Sequence, residues 1–396
     1  MKVLQLCNKP PYPATDGGCK AMKNISLGLL QSDVDLKIIC VSTQKHPFSL
    51  PNFPTDFVAQ TNIETVFLNT TVNAFDAISS IITSDCYNVS RFFSTQLELK
   101  IKTDVIENEY DFIIMESLFL TPYIDIIRNN SNAKILLRSH NFEYLIWQRL
   151  AQKEKNPLKK AYLNYLASSL KKYEIKILSK IDGIATISKE DTKKYVTVTP
   201  DVKITTVPFG IDLTNYTPIF KLPSSCLKFF HIGSMDWTPN TEAIEWFLKF
   251  VWPKLTSKNI ELHLAGKNMP NSLLNLIDQQ IINHGLVKSA TEFIGNHDIM
   301  IVPLFSGGGM RIKIIEAMAM GKTVISTTIG LEGINATHQK NVLIANSKDQ
   351  FILEINQLIE HPKLAIEIGK NARLFVEKEH NNDQLVKSLL SFANSL

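Results

Sequence analysis

Ile301-Val302-Pro303-Leu304-Phe305-Ser306-Gly307-Gly308-Gly309-Met310-Arg311-Ile312-Lys313-Ile314-Ile315-Glu316-Ala317-Met318-Ala319-Met320-Gly321 reads as an apolar strand, a triple-glycine loop and an amphipathic helix in direct succession. Glycines let a backbone approach a ligand closely, and the first N–H groups of a helix have no intrahelical acceptor. Those amides and the helix dipole together make an anion site. Arg311 and Lys313 are expected in the first turn, where a cation opposes the dipole. Two cations there imply a multiply charged anion as their missing partner. The plain alternative is a strand–loop–helix connection with solvated basic residues. Glu316, five positions after Arg311, lies inside the apolar run Ile314–Met320. Its carboxylate is expected to point along the helix, where two acceptor oxygens suit vicinal ribose hydroxyls; a solvated helix glutamate is the alternative.

The same strand-then-helix rhythm runs outward in both directions. Candidate strands are Val3–Cys7, Leu36–Val41, Glu64–Leu68, Phe112–Met115, Lys134–Arg138 and Gly183–Ile187 in the first half. The second half adds Lys228–Ile232, Ile260–Leu264, Ile299–Leu304, Thr323–Thr327 and Val342–Ile344. Helical stretches separate them, as in Lys20–Gln31, where Met22, Ile25, Leu29 and Leu30 share a face. Alternation of this kind predicts an α/β fold with parallel, doubly wound sheets covered on both faces. The polar, proline-punctuated stretch at 207–227 predicts a boundary. We expect an N-terminal domain over 1–207 and a C-terminal domain over 208–378, with the last helix, about 379–396, packing back on the first. Two such domains imply a cleft, and open α/β sheets bind ligands at their strand C-termini.

Composition narrows the function. The chain has 396 residues, 42 Lys+Arg against 38 Asp+Glu, and a formal net charge of +4. That excess is too weak for nucleic-acid binding. Residues 151–180 carry eight lysines against Glu154 and Glu174, a local +6, so the remainder sums to −2. Five scattered cysteines without a Cys-x-x-Cys pair predict buried thiols in a reducing compartment rather than disulfides or zinc. Asp33-Val34-Asp35 reads as a solvated turn, no His/Cys/Glu cluster has metal-ligand spacing, and no metal is expected. The start lacks a signal-peptide core and no window approaches a membrane span, so a cytoplasmic, soluble chain is expected.

These residues resemble a known family. Gly307–Glu316 with Ala317-Met318-Ala319 and Gly321–Thr327 is similar to the donor-binding motif of GT-B-fold glycosyltransferases, retaining family 4 in particular. Other matching segments are Tyr12-Pro13 with Asp16-Gly17-Gly18, Arg138-Ser139-His140-Asn141-Phe142-Glu143 and Ile187-Ser188-Lys189-Glu190-Asp191. Pro208-Phe209-Gly210-Ile211-Asp212 and Gly233-Ser234-Met235-Asp236-Trp237-Thr238-Pro239-Asn240 also correspond. The resemblance spans essentially the whole chain. It implies two Rossmann-like domains facing a cleft and a nucleoside-diphosphate sugar as donor substrate, with no cofactor and no metal. It also implies retaining transfer to a hydroxyl acceptor, a glycan or a lipid-linked one, in cell-surface polysaccharide synthesis. The leaving phosphate would take the acceptor's proton.

By that resemblance His140 is catalytic, hydrogen-bonding the donor sugar and supporting charge on the transferring carbon. Gly17, Gly18, Gly233, Ser234, Gly308, Gly309, Arg311, Lys313 and Glu316 bind the donor. Asp16, Asn141 and Glu143 lie on the acceptor side. Glu316 would close the family's Glu-x7-Glu pattern, but Gly308 stands where the first Glu belongs, leaving sugar contacts to the amides of Gly308 and Gly309. The usual Arg and Lys after the Gly-Ser turn are replaced by Met235-Asp236-Trp237, so Arg311 and Lys313 would supply the diphosphate charges. A nucleotide-sugar 2-epimerase shares the architecture, and loss of the first Glu also admits a non-catalytic binding partner. The lysine-rich segment predicts a helix with an apolar stripe of Leu158, Tyr162, Leu166, Leu170 and Tyr173. A peripheral contact with anionic membrane is its sharper reading, a solvated helix its plainer one.

Overall fold

A computed structural model describes residues 1–14, 16–71, 86–221, 226–274 and 278–396. The chain divides into two units, Met1–Gly210 with Asn382–Leu396, and Ile211–Asn381.

The first unit is built on seven parallel strands: β1 (Lys2–Cys7), β2 (Asp35–Ser42), β3 (Glu64–Phe67), β4 (Phe112–Glu116), β5 (Lys134–Ser139), β6 (Gly183–Thr186) and β7 (Lys203–Thr206). Their order is β3-β2-β1-β4-β5-β6-β7, so the direction of winding reverses between β1 and β4. Side chains alternate between two buried faces, as a sheet covered on both sides requires. Leu4, Leu6, Ile113, Met115, Ile135 and Leu137 enter one core. Val3, Cys7, Phe112, Ile114 and Leu136 enter the other. The helix Asn382–Asn394 belongs to this unit and packs on the helix Gly17–Gln31. Gly28 makes that approach possible, because a Cβ there would lie 2.5 Å from Val386 Cγ2. Asn382 donates to the Asn24 carbonyl at 2.7 Å, and Asn24 to that of Gly210 at 2.6 Å.

The second unit repeats the plan with β8 (Leu227–Ile232), β9 (Ile260–Ala265), β10 (Ile281–Gly285), β11 (Ile299–Val302), β12 (Thr323–Ser326) and β13 (Leu343–Ile344). The order β10-β9-β8-β11-β12-β13 reverses between β8 and β11. Phe229, Leu262, Leu264, Ile299, Ile301 and Ile325 fill one face, and Phe230, Met300, Val302 and Val324 are buried on the other. Loops that follow two strands at such a reversal splay apart at the strands' C-terminal ends, where these sheets bind ligands. In the first unit those ends carry Glu116 of β4 and, after β1, the helix start Gly17-Gly18. In the second they carry Gly233 after β8 and the glycine loop after β11.

Candidate functional site

The glycine loop leads into the helix Ile312–Ala319, which starts one residue later than the sequence pattern implies. Arg311 therefore stands at the N-cap and not in the first turn; its φ of −90° and ψ of 85° are not helical. No side chain caps this helix, and no acid lies in its first turn. Gly307 (φ 100°) and Gly309 (φ 83°) hold backbone conformations open chiefly to glycine, which folds the loop tightly enough for Arg311 to reach back over it. The guanidinium lies 5.0 Å from the Trp237 ring centroid, and its Nη1 donates to the Gly308 carbonyl at 2.6 Å and to that of Gly309. Arg311 is 6% exposed, yet its Nε and Nη2 have no hydrogen-bond partner. Trp237 thus forms the wall of an arginine pocket.

Lys313 is half-buried and reaches the end of β8. Its Nζ donates to Asn240 Oδ1 at 2.8 Å and to His231 Nε2 at 3.1 Å. His231 is free to accept because its Nδ1–H is given to the Ile301 carbonyl at 2.7 Å. Burial and the Lys313 charge hold the His231 imidazole neutral, far below its ordinary range. Burial first, and then the Arg311 charge, push the Lys313 ammonium down to about 7. Gly233 completes the arrangement, since a Cβ there would lie 2.7 Å from Asn240 Nδ2 and 3.0 Å from Lys313 Nζ. Ser234 turns away, its hydroxyl donating to Asp236. Among the described residues neither Arg311 nor Lys313 forms an ion pair; Glu332 lends Arg311 Coulombic attraction. Glu316, nearly buried, accepts from the Tyr216 hydroxyl at 3.1 Å. The structure therefore gathers Gly233, Lys313, Arg311, Gly308 and Gly309 at one strand edge. It presents two cations and two spare guanidinium nitrogens there, a set suited to a diphosphate.

In the first unit His140 follows β5 and joins a cluster the sequence does not announce. Its Nε2 lies 2.7 Å from Glu116 Oε2, which also accepts from Arg138 Nη1 at 2.9 Å. Gln5 donates to Glu116 Oε1 at 2.8 Å and accepts from the Ser26 hydroxyl at 2.7 Å. Glu116 and Arg138 are fully buried. Burial would raise the Glu116 carboxyl, but Arg138 and His140 outweigh it and hold it at about 2. Burial pushes the His140 imidazole below its ordinary range despite Glu116. A neutral ring whose Nε2–H is held by a carboxylate keeps Nδ1 as a lone-pair acceptor.

Asp16 caps the helix Gly17–Gln31, accepting from Cys19 N–H at 2.9 Å, and pairs with Lys9 at 2.7 Å. Burial opposes that charge, but Lys9 brings the Asp16 carboxyl down to about 2. Gly18 leaves room for the pair, since a Cβ there would lie 2.8 Å from Lys9 Nζ. Asn141 accepts from the Ser139 hydroxyl through its carbonyl at 3.0 Å, and its side chain bonds the Glu143 carboxylate. Burial raises Glu143 to about 7. One acid of the lysine-rich stretch 151–180 behaves unexpectedly. Glu174 is fully buried and receives the N–H groups of Glu143 and Tyr144 at 3.4 and 3.3 Å and the Tyr195 hydroxyl at 3.0 Å. It therefore caps the helix Glu143–Lys153 from its neighbour Pro157–Ile177, and burial raises it to about 7. The apolar stripe is corrected accordingly: Leu158 is 83% exposed, and Glu174 shares the buried face with Leu166, Leu170 and Ile177. All eight lysines of 151–180 are exposed.

Glu116, Gln5, His231, Asn240 and Tyr216 were not singled out by sequence. Glu116 carried a signal, an acid ending an otherwise apolar strand, and the structure adds Ser117 after it in a strained backbone conformation (φ 110°). The five cysteines form no disulfide, and Asp33 sits exposed in a turn. Among the described residues no helix is long and apolar enough to cross a membrane.

Residues 227–361 match the family model described as glycosyl transferases group 1. Over 414 aligned positions, 98% of both chains, the protein is 26% identical to a 44.6 kDa protein of the cps region of Klebsiella pneumoniae. Among solved structures it is similar to sucrose-phosphate synthase of Thermosynechococcus elongatus, with a TM-score of 0.71 at 15% identity over 100% of this chain and 99% of that one. It is also similar to HepE of Anabaena, solved with UDP and with UDP-glucose, with TM-scores of 0.65 and 0.64 at 12% identity over all of both chains. The chain has a GT-B fold, and the match to the group 1 glycosyl transferase model lies within its second unit.

Proposed function

We propose that this protein is a retaining, metal-independent glycosyltransferase that moves a sugar from a nucleoside-diphosphate sugar to a hydroxyl of a glycan or lipid-linked acceptor. The observation that carries this reading is the unpaired cation pair beside the glycine loop. Arg311 offers Nε and Nη2, and Lys313 offers an ammonium whose partners are both neutral. A diphosphate supplies the charge both lack. Stabilising that group as it departs is the main catalytic task in such a transfer, an oxyanion problem solved by donors already in place. Glu316 takes the ribose hydroxyls, and the amides of Gly308 and Gly309 take the sugar. His140 is the catalytic residue of the reading, with Glu116 fixing its tautomer. Similarity to a protein of a cps region supports a role in cell-surface polysaccharide synthesis. The exposed lysines of 151–180 are the surface through which an anionic membrane or acceptor is met; equal binding to neutral and anionic vesicles would remove that part.

Incubation with a panel of nucleoside-diphosphate sugars, UDP-glucose first, with NMR of the product's anomeric proton, tests the reading. An axial donor is expected to give an axial product. An inverted product would overturn retention, and conversion of the donor to its 2-epimer without acceptor would replace transfer altogether.

A further inference from the structure

No local spacing of histidines suggests a metal, yet the second unit brings three together from separate elements. His263 lies in β9, His284 in β10, and His297 in the turn between the helix Ala290–Gly295 and β11. One ring nitrogen from each lies within 4.8 Å of the other two. The neighbours fix which nitrogens these are. His263 Nε2–H is given to Glu261 at 3.1 Å, leaving Nδ1 toward His284 Nε2 at 3.0 Å. His297 Nδ1–H is given to the Phe293 carbonyl at 2.5 Å, leaving Nε2 as its lone-pair face. Histidines that ligate metals are oriented in this way, the second ring N–H held by a carboxylate or a backbone carbonyl. The strand pairing adds an independent sign. The register of β10 against β9 shifts between Asn283 and Gly285, so His284 has no partner in the ladder. Such irregularities re-aim a side chain.

We propose that His263, His284 and His297 form a binding site for a zinc-class divalent cation, which shares no residue with the proposed donor site and is independent of the proposed reaction. Three imidazoles suit Zn2+, Co2+ or Ni2+, with water as the fourth ligand. Tetrahedral Zn–N bonds of about 2.0–2.1 Å place ligand nitrogens about 3.3–3.4 Å apart, which His284, exposed and at the sheet edge, reaches by side-chain rotation. Binding moves the proton of His284 Nε2 to its Nδ1, so every ligand is a neutral imidazole and no proton need leave. The ion would clamp the edge strand β10 and the turn before β11 to β9.

The full-length chain, freed of metal with a chelator, is titrated with Zn2+ alone and separately with Co2+. One equivalent is expected to bind, and Co2+ to give the visible absorption of a tetrahedral, nitrogen-rich site. His284→Ala, an exposed substitution that spares the core, should weaken Zn2+ binding at least tenfold, and Glu261→Gln by about tenfold. His46→Ala should leave it unchanged, which separates this site from Asp16, Cys19 and His46, the other group of candidate ligands. No saturable binding, undiminished binding in His284→Ala, or loss in His46→Ala would each overturn the proposal.

Discussion

Each unit places a buried arginine at the C-terminal edge of its sheet, and the two are treated oppositely. Arg138 meets a carboxylate at 2.9 Å, and that carboxylate is shared with His140 and braced by Gln5. Arg311 meets two carbonyls and an indole face. Both guanidinium groups leave Nε and Nη2 without partners, so the count of hydrogen bonds does not distinguish them. Charge does. A buried ion is tolerated when it is paired, and a pair broken on one side leaves an uncompensated charge. The first cluster is balanced and holds a histidine in place, whereas the second, among the described residues, has no ion-pair partner for either cation.

The contrast is sharpest in stability. Glu116→Ala strips Arg138 of its counter-charge and is expected to cost about 3–5 kcal/mol, read from denaturant midpoints. Arg311→Met gives up two carbonyl contacts and the Trp237 stacking but also removes an unpaired buried charge, so its midpoint should move by less than about 1 kcal/mol. Equal losses in the two variants would break the comparison.

Acid should separate the clusters as well. The Glu116 carboxyl is held at about 2 in the folded chain, below the usual glutamate range, so its contribution is present above that range and fades as pH falls toward 2. Glu116→Gln should therefore flatten the loss of stability between about pH 5 and 2. An unchanged slope would remove Glu116 from the acid response.

Lys313 gives a subtler signal. Its ammonium sits at about 7 without an anion, and a bound diphosphate restores the charge. UDP binding at about pH 8 should take up a proton, seen as a binding enthalpy that varies with buffer ionisation heat, and affinity should fall as pH rises past about 7. A buffer-independent enthalpy would show the lysine already charged. The smallest effect is expected from Tyr216→Phe, which removes one hydrogen bond to Glu316 and should weaken UDP binding by about 0.5–1.5 kcal/mol.

Much of the fold was legible because β-branched runs and helical periodicity alternate cleanly, from Val3–Cys7 to Thr323–Ser326. β10 escaped because its pattern, Ile281-Ile282-Asn283-His284-Gly285, is half polar, as an edge strand's can be. The glycine loop, Arg311 and Lys313 could be found because they are contiguous and share one chemistry. His231 could not, since its partners lie 70 and 82 residues away along the chain, and the acid that ends β4 did not announce the partners of Glu116, 22 to 111 residues away. Glu174 misled because charge counting assigns every acid to solvent, whereas this one caps a neighbouring helix.

The account rests on an anion completing the second cluster. Calorimetric titration of UDP into the wild-type chain and Arg311→Ala tests it most directly. Loss of charge-assisted hydrogen bonds should weaken binding by about 1.5–3 kcal/mol, roughly ten- to 150-fold, with the fold intact. The same affinity in both chains would contradict it.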